Sequence, residues 1–321
     1  MTENTTPMRP PLWRRLLSPA VLPLISAVLL FITRLLKGVL FQGETLYVTV
    51  VALQIIIFLL PVGVFVRLRG DGYLSRLRLR PGRPESVLLM LSTALLLITG
   101  GVLLSMLFSG INNLAGTFTL YDTFRTGEGG GFSGPTVYLI LAYAALPAIS
   151  EEILFRGVLL AEYQRHGVGL AVAVSSVLFA AVHFNLGGLP VYLFSGAVLA
   201  ITTFLSRSVW NAVIAHFLYN LFGLFGQPYL RSFYEITGST SLFLFLLVAL
   251  LLLSLAVFCG ETARLCRLYA SRNVKHLEPP KARDGQTVPL RVRMKAVFLK
   301  PDAIACYAIW LVASILFIFL K

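Results

Sequence analysis

Residues 148–157 read AISEEILFRG and place two adjacent glutamates and an arginine inside a long apolar stretch. Upstream, residues 135–150 read PTVYLILAYAALPAIS, and downstream, residues 158–166 read VLLAEYQRH. The run exceeds the ~20 residues that a helix needs to cross a bilayer. Ionisable groups at bilayer depth cost ~2.5–3.5 kcal/mol each on insertion scales and by default mark function. The stretch therefore predicts a membrane-spanning helix that carries a polar site.

Composition extends this prediction to the whole chain. Of the 321 residues, 57% are hydrophobic and 13% are charged, whereas soluble domains carry about 25% charged residues. We predict an all-α fold, a polytopic transmembrane helical bundle of about eight or nine spans. The short links around residues 190–206 allow a tilted or partial span there. The nine candidate spans are residues 17–33, 45–66, 86–108, 135–164, 168–185, 190–206, 208–226, 241–260 and 301–320.

The distribution of basic residues predicts the orientation. The net charge of +13 could suggest nucleic acid as a partner, but 21 of the 27 lysines and arginines fall in alternate connections between the spans. This asymmetry is the positive-inside pattern, and it predicts a lipid bilayer as the partner, no nucleic acid, and an N-terminus inside. Arg34 and Lys37 are exceptions on the outer side.

The chain divides into three parts. Residues 1–134 hold three spans and a glycine-rich outer loop, and residues 135–226 hold the polar intramembrane residues. Residues 227–321 hold the last spans and a basic cytoplasmic segment, 261–300, which either contacts anionic lipid or is a solvated loop. The three cysteines have neither metal-ligand nor CxxC spacing, and no disulfide is implied.

Helical spacing gives the polar residues a geometry. Glu152 and Arg156 are four positions apart, so they share a helix face and can form an ion pair. Glu151 lies about 100° around the helix and is free to face a cavity. Burial disfavours its charged form and brings it closer to the strength of a general base near neutral pH. Pro147 can kink the helix and free a carbonyl.

Two further helices carry paired polar groups. Phe179 and His183 lie one turn apart, and so do His216 and Asn220. Two donors one turn apart can converge on one oxygen atom, as in an oxyanion hole. Each group alone also has a structural explanation, such as a hydrogen bond between helices. Their concentration on neighbouring spans favours a catalytic or transport site.

These residues resemble the motifs of a known family. EEILFR at 151–156 matches EExxxR, FAAVH at 179–183 matches FxxxH, and HFLYN at 216–220 matches HxxxN. In this order, on successive helices, they resemble the CPBP intramembrane proteases. That group includes type II CAAX prenyl endopeptidases and bacterial Abi or bacteriocin-processing proteins. The resemblance covers residues 135–226 and implies a multi-pass protein of the bacterial plasma membrane.

The resemblance also implies a role for each matching residue. Glu151 is the general base that activates water, and Glu152 with Arg156 holds the helix and its electrostatics. His183 positions the water, and His216 and Asn220 stabilise the oxyanion. Glu151, His183 and His216 could instead bind Zn²⁺, but the usual helical HExxH signature is absent. We predict catalysis without a metal.

The sequence thus predicts an intramembrane endopeptidase that cleaves a membrane-associated or lipidated protein or peptide. Two alternatives stay open. A proton-coupled transporter also uses Glu and His relays, although we find none of the inverted repeats typical of transporters. A non-enzymatic immunity or scaffold protein is the other alternative.

Overall fold

A computed structural model describes residues 18–40, 46–70, 72–109, 136–272 and 287–319, and over these ranges the chain is helical with no strand. This confirms the predicted all-α fold. The principal helices are α1 (Val21–Leu35), α2 (46–69), α3 (Val87–Ser109), α4 (136–163), α5 (Val168–Ala181), α6 (Leu189–Ser206), α7 (Val209–Phe225), α8 (Gln227–Thr237), α9 (Thr240–Ser271), α10 (Leu290–Phe298) and α11 (Pro301–Phe319).

Six helical segments are long and apolar enough to cross a membrane, among the residues described, so the chain is an integral membrane protein. The number rises to seven if the helix 209–225 and the bent segment 229–237, inclined by 68°, form one span. The prediction of eight or nine spans is therefore slightly too high. The physical reason is helix length, because α1 has only 15 residues and α5 only 14, short of the ~20 that a bilayer requires.

The predicted basic loop 261–300 also differs from the structure. Helix α9 continues through Ser271, and α10 occupies Leu290–Phe298. Within α9, Arg264 pairs with Glu261 three residues earlier at 2.6 Å. The charges thus begin on a continuing helix and not in a loop. Residues 273–286 of that segment, and the glycine-rich loop within 110–135, lie outside the described residues.

The helices pack around two main apolar clusters. One joins α1, α2, α4, α5 and α11, and includes the fully buried residues Leu22, Phe155 and Cys306. The other joins α3, α6, α7 and α9 around Leu97 and Leu199. Helix α4 contacts α2, α5, α6 and α7, so it lies between the two groups of helices. Glu151, Glu152 and Arg156 are consequently enclosed by protein.

Helix α4 is irregular on both sides of its glutamates. The stretches Leu141–Ala145 and Ile153–Leu159 are π-helical, and they flank the α-helical segment Leu146–Glu152. Pro147 is at the start of that segment and has no N–H to donate. π-Helical turns are frequently found at functional sites, and irregular backbone at membrane depth is tolerated where it is buried in protein.

Candidate functional site

The carboxylate of Glu152 joins two helices at the centre of the site. Its Oε1 accepts hydrogen bonds from Arg156 Nη1 at 2.8 Å and from His216 Nδ1 at 3.0 Å. Glu152 and Arg156 are fully buried, and His216 is 4% exposed. Burial of this kind is tolerated only when charges are paired and hydrogen-bonded. The i, i+4 pair expected from the sequence is present, and His216 of α7 is its third member.

Arg156 is fixed by further contacts from α5 and α6. Its Nη2 donates to the carbonyl oxygen of Gly196 at 3.2 Å. Its guanidinium carbon lies 4.4 Å from the centre of the Phe179 ring, within the range of a cation–π interaction. A Cβ atom on Gly196 would lie 2.8 Å from Ser176 Cα. Glycine at this position therefore lets α6 approach α5 closely enough to supply the carbonyl.

Glu151 has the fewest hydrogen bonds of the three charged residues on α4 at this site. Its side chain is 6% exposed, and no described residue hydrogen-bonds its buried Oε2. It directly precedes Glu152, whose carboxylate binds Arg156 and His216. The preceding residue, Ser150, donates its hydroxyl to Gln54 Oε1 of α2 at 3.0 Å. A buried carboxylate oxygen without a protein partner is able to bind water or substrate.

His183 lies just beyond the last residue of α5 and is partly buried. Its Nδ1 lies 2.7 Å from the Phe179 carbonyl oxygen. Because a carbonyl oxygen can only accept, Nδ1 carries the hydrogen, and a neutral ring therefore presents Nε2 as an acceptor. The ring stacks on Tyr192 at a centroid distance of 4.0 Å. The side chain is thus held from α5 and from α6.

Asn220 lies one turn after His216 on α7, is 3% exposed, and faces α4. Its Nδ2 donates a long hydrogen bond of 3.4 Å to the carbonyl of Ala144, beside the Pro147 break. No described residue bonds its buried Oδ1. This amide is therefore close to the glutamate helix, and its single backbone contact is weak enough to be exchanged.

The six predicted site residues are therefore unequally connected. Direct hydrogen bonds unite Glu152, Arg156 and His216. The Phe179 ring links the two imidazoles, with its centroid 4.8 Å from that of His183 and 6.1 Å from that of His216. Sequence reasoning missed three partners, Gly196, Tyr192 and Gln54. The first is an ordinary glycine in an apolar span, so only the packing of α5 on α6 reveals it.

The alternative zinc site is not assembled. Among the residues that the structure describes, no group of three or more His, Cys, Asp and Glu side chains could hold a metal ion. Glu151, His183 and His216 consequently do not form a ready His₂Glu site.

The fold and site define a class of protein, a helical integral membrane protein with a buried Glu–Arg–His cluster between its spans. In this chain, residues 133–222 match the family model described as Type II CAAX prenyl endopeptidase Rce1-like. The match confirms the resemblance indicated by the three motifs, over slightly more than a quarter of the chain. No curated protein and no solved structure gives a significant match.

Proposed function

We propose that the chain is an intramembrane endopeptidase that hydrolyses a peptide bond in a membrane-associated or lipidated protein or peptide. One observation carries the proposal. Glu151 has a buried carboxylate oxygen without a protein partner, and the adjacent Glu152 orients His216 through a hydrogen bond. The family match over the same residues supports this activity. The cleaved substrate lies in or at the bilayer, because the site is enclosed between spans.

In the proposed reaction, Glu151 accepts a proton from water while the water oxygen adds to the peptide carbonyl carbon. The carbonyl π electrons move to oxygen and form a tetrahedral oxyanion. When the oxyanion collapses, the C–N bond breaks and the proton from Glu151 goes to the leaving amine. One water is consumed, and a carboxylic acid and an amine are formed. Such proton transfer typically contributes 10²–10⁴-fold to the rate.

His183 is suited to position the water. Its Nδ1–H is committed to the Phe179 carbonyl, so Nε2 of the neutral ring can accept a hydrogen bond from the water. The stack on Tyr192 restricts rotation of the ring. An acceptor held in place in this way orients a lone pair of the water oxygen towards the peptide carbonyl.

His216 must be protonated to stabilise the oxyanion. An ionised carboxylate can only accept, so the bond to Glu152 leaves Nδ1 with its hydrogen. Donation from Nε2 as well requires the imidazolium. With both glutamates ionised and His216 neutral, the buried group including Arg156 has a net charge of minus one. One additional proton makes the buried group neutral, which lowers the cost of burying it. If His216 carries this proton, Glu151 stays ionised and can act as the base.

Asn220 completes the proposed oxyanion site. Its amide nitrogen exchanges the 3.4 Å contact with Ala144 for the developing negative charge. Removing one such donor typically lowers kcat by about 10²–10³-fold. The first and last parts of the chain, 1–134 and 227–321, then serve to hold this core in a bacterial plasma membrane, with the N-terminus inside.

The test compares cells that express the wild-type chain or Glu151→Gln. New protein termini in membrane and secreted fractions are identified by mass spectrometry. We expect termini that occur with the wild type and are lost with Glu151→Gln. The control is Glu235→Gln, which makes the same change at an exposed ion pair, 61% exposed at the glutamate, and should retain cleavage.

Two results would contradict the proposal. The first is identical termini from the wild type and from folded Glu151→Gln. The second is a full biological phenotype, such as immunity or scaffolding, from a folded Glu151→Gln/His216→Ala variant. Solute uptake that follows a pH gradient, without any cleaved peptide, would favour a transporter.

A further inference from the structure

Arg34 is an exception to the predicted charge asymmetry, and its contacts explain its position. It lies near the end of α1, and its Nη1 donates to the carbonyl oxygens of Phe184 at 3.2 Å and His183 at 3.5 Å. Its guanidinium carbon also lies 4.7 Å from the centre of the Phe317 ring of α11. The guanidinium of Arg34, whose charge is costly in a membrane, thus binds the backbone of the turn at His183 and Phe184.

The turn receives Arg34 because α5 ends there. Helix α5 ends at Ala181, and the carbonyls that follow its last turn have no partner within the helix. A cation at this end also interacts favourably with the negative end of the helix dipole. Arg34 therefore satisfies backbone groups that apolar neighbours could not.

The same turn is conformationally strained. Phe184 has φ of 49°, in the left-handed region that bulky residues rarely adopt. Its ring contacts Phe31 edge-on at 6.5 Å and Phe317 at 6.2 Å between centroids. Strained conformations persist only where the surroundings determine them, and they cluster at functional sites. The aromatic contacts and the Arg34 hydrogen bonds together determine this one.

We infer that Arg34 is a positioning residue for His183. It holds the carbonyls of the turn, which fixes the His183 backbone and places the imidazole between Phe179 and Tyr192. Its significance for catalysis rests on the proposed function. The contact itself joins α1, outside the matched region, to the FxxxH motif, so the first part of the chain takes part in organising the site.

The experiment has a readout that does not depend on catalysis. The rate at which diethyl pyrocarbonate modifies His183 is measured by mass spectrometry in the purified, full-length protein. We expect Arg34→Gln to raise this rate at least fivefold, because the ring loses its fixed stacking. Arg34→Lys should raise it less, since one ammonium group can bond one carbonyl. His166, at the other end of α5, is the internal reference and should not change.

Activity is measured on the same variants with a peptide substrate identified from the wild type. We expect Arg34→Gln to lower kcat at least tenfold with KM changed less than threefold, and Arg34→Lys to restore part of kcat. The matched control is Arg231→Gln, which removes an arginine that is 77% exposed. It should leave both the His183 modification rate and kcat unchanged.

An unchanged His183 rate in folded Arg34→Gln would overturn the inference, even if cleavage is confirmed. If Arg34→Gln does not fold, Arg34→Lys decides, and a rate equal to that of the wild type overturns the inference. A raised rate in a protein whose wild type cleaves nothing supports the positioning of His183 and refutes the proposed function. The two hypotheses can therefore fail separately.

Discussion

Replacing Glu152 by leucine tests the energetics of the buried cluster. Glu152 Oε1 accepts hydrogen bonds from Arg156 and His216. The side chains of Glu152 and Arg156 are 0% exposed, and that of His216 is 5% exposed. Leucine removes both bonds and leaves the Arg156 charge buried without its carboxylate. Breaking a buried ion pair costs about 3–5 kcal/mol. Leaving the imidazole N–H without an acceptor costs about 1–3 kcal/mol more.

The expected loss for Glu152→Leu is therefore roughly 4–8 kcal/mol of unfolding free energy. The carbonyl of Gly196 still accepts one hydrogen bond from Arg156, which favours the lower half of this range. Glu152→Gln should cost less, because its amide oxygen can still accept hydrogen bonds at the same place. In Glu152→Leu/Arg156→Met the buried guanidinium that had lost its partner is removed as well, and much of the stability should return.

Unfolding free energies are measured by titrating sodium dodecyl sulfate into mild detergent micelles, with the folded fraction determined by resistance to brief proteolysis. All variants are measured under identical detergent conditions, and each is compared with the wild type by its difference in unfolding free energy. A Glu152→Leu protein within about 1 kcal/mol of the wild type would refute the assignment of a tightly coupled buried pair. A double variant less stable than Glu152→Leu would also refute the assignment. In a coupled pair, the second substitution should recover stability and not add its own loss to the first.

Two further predictions concern packing and metal dependence. Gly196→Ala should destabilise the protein by about 1–3 kcal/mol, because the new Cβ would lie 2.8 Å from Ser176 Cα. The control in the same titration is Gly63→Ala, whose new Cβ would have no atom within 4 Å. This control variant should be neutral or slightly stabilising. Cleavage should survive exhaustive chelation, and elemental analysis should find less than one zinc per chain. The reason is that the described part of the chain has no cluster of three side chains able to bind a metal ion. Stoichiometric zinc whose removal abolishes cleavage would contradict this prediction.

Contacts between residues one turn apart on the same helix could be predicted from the sequence. The Glu152–Arg156 pair and the Phe179–His183 contact are each one turn apart, so they follow from local geometry. The membrane class follows from the length of the apolar blocks. The span count was less accurate, because helix ends depend on where a turn such as 182–188 can be stabilised by other helices.

The sequence by itself determined the membrane class, the all-helical fold and the ion pair within α4. Only the tertiary structure decided that Glu152 bonds His216, that Gly196 supplies a carbonyl to Arg156, and that Arg34 reaches the His183 turn. The reason is physical. Helices that are apolar on all sides show no stripe to identify their partners. Contacts between them depend on helix rotation and depth, which only the packed bundle fixes.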